Sequence, residues 1–140
     1  MRMLLAFLFA LLMPMAALAG DTSQQATDSA KTWLVLIDAG QYEQSWTDAS
    51  TAFKAAVTQP QWVGMVKPVR EPLGAVVSRN LDPPGVELTK SPPNAPAGDY
   101  AIVHFATKFA KGGDTKETVI LMMDGGAWKV AGSFIKPATP

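Results

Sequence analysis

Apolar positions along the chain change their period once, near its middle. Ala26, Ala30, Trp33, Leu34 and Ile37 recur every three or four positions, and Gly40 follows where a left-handed C-terminal cap belongs, so this stretch is predicted to be an amphipathic helix. A second helix is predicted over residues 41–57, with Tyr42 and Trp46 four apart, Phe53, Ala56 and Val57 on a later face, and a break near residues 48–50. A third opens with Thr58 as N-cap and Pro60 in its first turn. It sets Trp62, Met65, Val66 and Val69 on one stripe and is expected to kink or end near Pro68.

From Gly74 onward the period becomes two. AVVSRNL reads as a strand, DPPG as a turn, VELTK as a short strand and SPPNAPAG as a proline-rich loop over a cavity rim. Three longer strands follow over residues 99–109, 115–124 and 127–135, joined by a loop containing Gly112-Gly113 and by the tight Gly125-Gly126 turn. Helices first and strands afterwards, without alternation, make an α+β fold.

Registering the hairpins on their turns places Met123 opposite Trp128, Leu121 opposite Val130, Glu117 opposite Phe134, Thr107 opposite Glu117 and Phe105 opposite Val119. One face then collects Val103, Phe105, Val119, Leu121, Met123, Trp128, Val130 and Phe134 and is expected to be the core. The other carries Tyr100, Ile102, His104, Thr118, Ile120 and Ser133. His104, the single histidine, is thus assigned to the face away from the helices.

The chain has two ends to account for. Residues 1–19 combine a positive start, an apolar run, Pro14 and the small-x-small site Ala17-Leu18-Ala19, the pattern of a signal peptide cut after Ala19. Pro14 interrupts a run already below the roughly 20 residues a membrane span needs, so no stable anchor is expected after cleavage. The sequence contains no cysteine, which excludes a lipid-attached lipoprotein and any disulfide. The expected organisation is a leader over 1–19, a polar segment over 20–25, one domain over 26–136 and a tail over 137–140, exported to a periplasm or secreted. The formal net charge is zero and no basic stripe is present, so nucleic acid is not an expected partner.

The segments WLVLIDAGQYEQSW, Trp62, Leu73-Gly74, Ser78-Arg79, NAPAGDYAIVHF and KETVILMMDGGAWKVAGSFIK resemble a bacterial family, the domain of unknown function numbered 4019. The resemblance runs from about residue 26 to residue 136. It implies a bacterial envelope protein similar in shape to nuclear transport factor 2-like, or cystatin-like, folds. In these, helices pack in the concave face of a curved antiparallel sheet and form a cone-shaped cavity. It carries no catalytic residue, ligand or activity with it.

The chemistry in the residues themselves is sparse. One histidine and no cysteine cannot assemble a transition-metal site, and Asp99, Asp114 and Asp124 read as turn residues, so no metal or cofactor is expected. GGD and DGG join strands and are not phosphate-binding turns. Alternation puts two charges on the core side, Arg79 and Glu117. They are either a structural ion pair or a ligand-contacting site, and Glu117 is the one weak candidate for a base. Burial favours a useful carboxylate base in general while a neighbouring guanidinium opposes it, so pairing argues against catalysis. Trp33, Trp46, Trp62, Phe105 and Trp128 are candidates for lining the cavity or for filling the core.

Three functions follow as expectations. The first is a non-enzymatic exported domain that binds a small apolar or amphipathic molecule, or an envelope protein, through the cone and its rim. The second is a small-molecule isomerase or hydrolase-like enzyme using Glu117. The third is an assembly module that forms a homodimer through the outer sheet face, where Ile102, Ile120, Met122 and Ala131 surround His104.

Overall fold

The computed structural model describes residues 15–139, with side chains from residue 21 onward. Most of the segment read as a signal peptide therefore lies outside the described residues. Helix α1 spans Met15–Asp38, so the polar segment over 20–25 is helical as well. Among its described side chains, Ala26, Thr27, Ala30, Trp33, Leu34 and Ile37 are buried. Gly40 ends it with φ of +74°, a conformation that costs glycine little.

The second helical segment is divided. Helix α2 covers Tyr42–Thr47 and α3 covers Thr51–Ala56. Between them Ser50 caps α3 by accepting from the Phe53 amide, and its own amide donates to the Val130 carbonyl at 2.8 Å, which ties the break to the sheet. Helix α4, Gln59–Arg70, begins with a full capping box in which Thr58 and Gln61 each accept from the other's backbone N–H. It passes through Pro68, two residues beyond the expected stop, and runs into a 3-10 turn at Glu71–Leu73.

Four antiparallel strands follow in sequential order: β1 Val76–Lys90, β2 Asp99–Phe109, β3 Gly113–Asp124 and β4 Ala127–Pro137. The sheet is curved and the helices lie on one of its faces, giving the α+β class expected. That inner face is built from Ala101, Val103, Phe105, Thr107 and Phe109 on β2 and from Thr115, Glu117, Val119 and Leu121 on β3, all buried. Trp33, Leu34, Ile37, Tyr42, Phe53 and Trp62 close the core from the helical side.

Three details differ from the sequence reading. DPPG is not a chain reversal: β1 runs through it as one strand, with a register irregularity between Leu81 and Val86 and Gly85 at φ +79°. Proline and glycine serve a bulge in an edge strand as well as they serve a turn. The β2–β3 hairpin is tighter than assumed, pairing Phe109 with Gly113, Phe105 with Glu117 and Val103 with Val119. This slip of two residues leaves every side chain on its expected face.

The third difference is a bulge in β4, which does change a face. Leu121 pairs with Val130 but Ile120 pairs with Gly132, so every later residue of β4 is turned over. Phe134 stands opposite Thr118 and is 63% exposed, where the core was expected. Ser133 and Ile135 replace it on the inner side, opposite Val119 and Glu117.

Candidate functional site

Arg79 on β1 is paired with Thr107 on β2, and Glu117 on β3 lies one step along the same face, so three adjacent strands place these side chains in a row. Arg79 Nε donates to Glu117 Oε1 at 2.8 Å, and Thr107 Oγ1 donates to the same oxygen at 2.5 Å. Thr107 is fixed from behind, because Thr115 Oγ1 donates to its carbonyl at 2.9 Å. The structure thus brings together the two inward charges read from the sequence.

Two residues that sequence reasoning did not single out complete the row. Asp38, the last residue of α1, accepts from Arg79 Nη1 at 2.7 Å and from Nη2 at 3.0 Å. Arg70, the last residue of α4, donates from Nη2 to Asp38 at 3.3 Å and from Nη1 to the Gly74 carbonyl at 2.6 Å. Its guanidinium carbon lies 4.6 Å from the centre of the Phe109 ring. The result is a chain of alternating charge, Arg70, Asp38, Arg79 and Glu117, that links both helix ends to the sheet. Burial alone works against a charged Arg79, but the bonds and charges of Asp38 and Glu117 outweigh it and hold its pKa above the ordinary arginine value.

A cavity of about 260 Å³ opens beside this row, between α1, α4 and the end of β4. Its walls are apolar, with Trp33, Leu34, Ile37, Trp62, Val66 and Ile135 among them, and its polar groups are Arg70, Glu117 and Ser133. Met65, Val69 and Phe134 stand in the wall as well and are mostly exposed. A second hollow of about 490 Å³ lies beyond Phe134, under residues 94–96 of the proline-rich loop, and shares Trp62, Met65, Ser133 and Phe134 with the first.

The aromatic candidates separate into two groups. Trp33 and Trp62 line the 260 Å³ cavity, whereas Trp46, Phe105 and Trp128 do not. Phe105 is fully buried between helices and sheet, Trp46 packs at the core's edge with its indole N–H on the Val57 carbonyl at 2.7 Å, and Trp128 borders other surface clefts. Ser45 organises the two that remain. Its carbonyl accepts from Trp33 Nε1 at 2.8 Å and its hydroxyl accepts from Trp62 Nε1 at 2.9 Å, while donating to the Tyr42 carbonyl at 2.6 Å.

His104 lies on the opposite face of the sheet, 2.7 Å from Glu87 and 3.4 Å from Thr118. Around it the apolar patch is narrowed by the chain itself, because Tyr100 is buried and its hydroxyl donates to the Pro96 carbonyl at 2.7 Å. Among the described residues no three His, Cys, Asp or Glu side chains converge as metal ligands, and no helix is long and apolar enough to cross a membrane.

Helices laid on one face of a four-stranded antiparallel sheet, with a charge row of two arginines and two carboxylates beside an apolar hollow, define a small α+β domain. The chain belongs to the family described as protein of unknown function DUF4019, whose model matches residues 29–133. A comparison with curated proteins finds no match.

Proposed function

We propose that this domain binds a small apolar or amphipathic molecule in the cavity beside Arg70 and Glu117, without transforming it. The observation that carries the reading is the composition of that cavity: aromatic and aliphatic walls around very few polar groups, the usual make-up of a small-molecule site. Under this reading the cavity is the cone of a nuclear transport factor 2-like shape. What favours binding over catalysis is that Glu117 is held within an ion-paired row by Arg79 and Thr107 and that the one histidine is on the other face of the sheet.

The site of action under this proposal is the periplasm or the exterior, after cleavage following Ala19. What supports the reading is the sequence pattern before Gly20, a positive start, an apolar run and the small-x-small site Ala17-Leu18-Ala19. N-terminal sequencing of the exported protein is expected to start at Gly20, and a start at Met1 in a membrane fraction would overturn it.

Native mass spectrometry of the protein isolated from that compartment tests the binding itself. A small added mass is expected, and it should disappear in Val66→Trp, which fills the cavity wall. Bare chain in both samples would overturn the reading. A doubled mass would select a second reading, a homodimer or protein contact at the cavity mouth, for which the exposure of Met65, Val69 and Phe134 speaks.

A further inference from the structure

The polar atoms of the cavity differ in what they still offer a ligand. Arg70 spends Nη1 on Gly74 and Nη2 on Asp38, and its Nε, though unpartnered, is sealed from solvent. Glu117 is the reverse case. Both hydrogen bonds that hold it end on Oε1, and Oε2 is neither bonded nor sealed, although the side chain is only 6% exposed. The wall therefore presents a nearly buried carboxylate oxygen with unused acceptor capacity.

Charge decides what that oxygen can take. Arg70 and Arg79 balance Asp38 and Glu117, so the row is neutral before any ligand arrives. A ligand carboxylate would add a negative charge next to Glu117 in an apolar wall, at the full cost of an unpaired buried ion. An ammonium would bring three donors to a wall whose free acceptors are Glu117 Oε2 and the Ser133 hydroxyl, and would lose most of its hydration. An uncharged hydroxyl has one donor, which Oε2 satisfies, and one acceptor oxygen of the kind Ser133 can serve. It leaves the row neutral.

We infer that the ligand class of this cavity is an uncharged alcohol or phenol, an apolar ring or short chain whose hydroxyl donates to Glu117 Oε2. The inference rests on the binding reading above and adds its polarity. The volume of about 260 Å³ limits the apolar part to a small ring system.

Four naphthalenes substituted at the same position, the naphthol and methyl compounds being matched in size, test it by quenching of tryptophan fluorescence, since Trp33 and Trp62 line the cavity. They are 2-naphthol, uncharged at neutral pH, 2-methylnaphthalene, 2-naphthoate and 2-naphthylmethylammonium. The naphthol is expected to bind about ten- to a hundredfold tighter than the methyl compound, the factor supplied by one hydrogen bond to a charged acceptor. Both ions are expected to bind more weakly than the naphthol. In Glu117→Leu the preference for naphthol over methylnaphthalene should vanish, and the wild-type series decides the matter whether or not that variant folds. If none of the four binds, the binding reading falls and the inference with it. If they bind with either ion or the methyl compound tightest, binding stands and the hydroxyl inference is overturned.

Discussion

Asp38 receives two guanidinium nitrogens of Arg79, at 2.7 and 3.0 Å, and so locks the C-terminal end of α1 to the edge strand of the sheet. The consequence is an asymmetry between Arg79 and its other partner. Replacing Glu117 by Leu leaves Arg79 bound to Asp38, whereas replacing Arg79 by Met leaves the nearly buried Glu117 without a counter-charge, held only by the Thr107 hydroxyl, and leaves Asp38 only its 3.3 Å bond to Arg70. Arg79→Met is therefore expected to cost about 3–5 kcal/mol. Glu117→Leu should cost about 1–3 kcal/mol, chiefly for the Arg79 Nε and Thr107 hydroxyl left without an acceptor. Urea melts of both variants and the double variant measure this as a cycle. Equal single costs would overturn the asymmetry, and strictly additive ones would show that the row does not act as a unit.

Much of this was open to reading from alternation. Glu117 falls on the inner face whether its strand is registered as expected or two residues away, because a slip of two preserves the face. Phe134 was not legible, since a single extra residue in β4 turns over everything after it. Gly132, at the irregularity, is the one local hint, a residue that often marks a bulge inside a strand pattern. DPPG carries the same ambiguity in another form, its residues being suited to both reversal and bulge. Asp38 and Arg70 come from the ends of two helices, and no periodicity relates such positions. Yet an acid as the last residue of a helix sits against the negative end of the helix dipole, a local misfit that asks for a cationic partner.

Ser45 supplies a second test, of the aromatic wall. Its hydroxyl is the acceptor for Trp62 Nε1, and Trp62 packs edge-on against Phe53 with ring centres 5.1 Å apart. Ser45→Ala deletes that acceptor and leaves a buried indole N–H unpaired, while the Trp33 bond to the Ser45 carbonyl is unaffected. The expected loss is about 1–3 kcal/mol in urea unfolding. A variant as stable as the parent would show that Trp62 finds another acceptor and that Ser45 does not hold the wall.

Asp124 gives the fold a pH dependence at acid. Its Oδ2 accepts from the Thr51 backbone N–H at 2.7 Å, tying the start of α3 to the β3–β4 turn. This backbone bond first, then a side-chain bond from Thr51, holds the carboxyl below its ordinary value of 3.8. A carboxyl depressed on folding contributes stability that is fully present above the unfolded value and is lost as pH falls through the folded one. Melts of the parent and Asp124→Asn from about pH 6 to about pH 2 should show the parent ahead at the upper end and the two converging at the lower. A gap that stays constant with pH would assign the contact to something other than the ionised carboxylate.

The last expectation concerns the joint between the helical half and the sheet, where the β2–β3 turn presses on the 3-10 turn. Lys111 and Gly112 both donate their backbone N–H to the Leu73 carbonyl, at 2.9 and 3.0 Å. A methyl group on Gly112 would fall 2.4 Å from Leu73 Cδ2, 3.2 Å from its Cβ and 3.3 Å from its Cα. The clash with Cδ2 can be relieved by a rotamer change, but the other two approaches are set by the backbone that makes those hydrogen bonds. Gly112→Ala is therefore expected to destabilise the domain by about 1–3 kcal/mol, as overpacking does. Leu73→Ala removes the Cδ2 clash and leaves the crowding against Cβ and the backbone, so the double variant should lose less than the two single losses combined, by about 0.5 kcal/mol or more. Leu73 also lines the 260 Å³ cavity, so Gly112→Ala should alter binding of 2-naphthol although residue 112 is not in the cavity wall. A Gly112→Ala protein with unchanged stability and unchanged naphthol affinity would show that the joint yields freely and does not set the position of that wall.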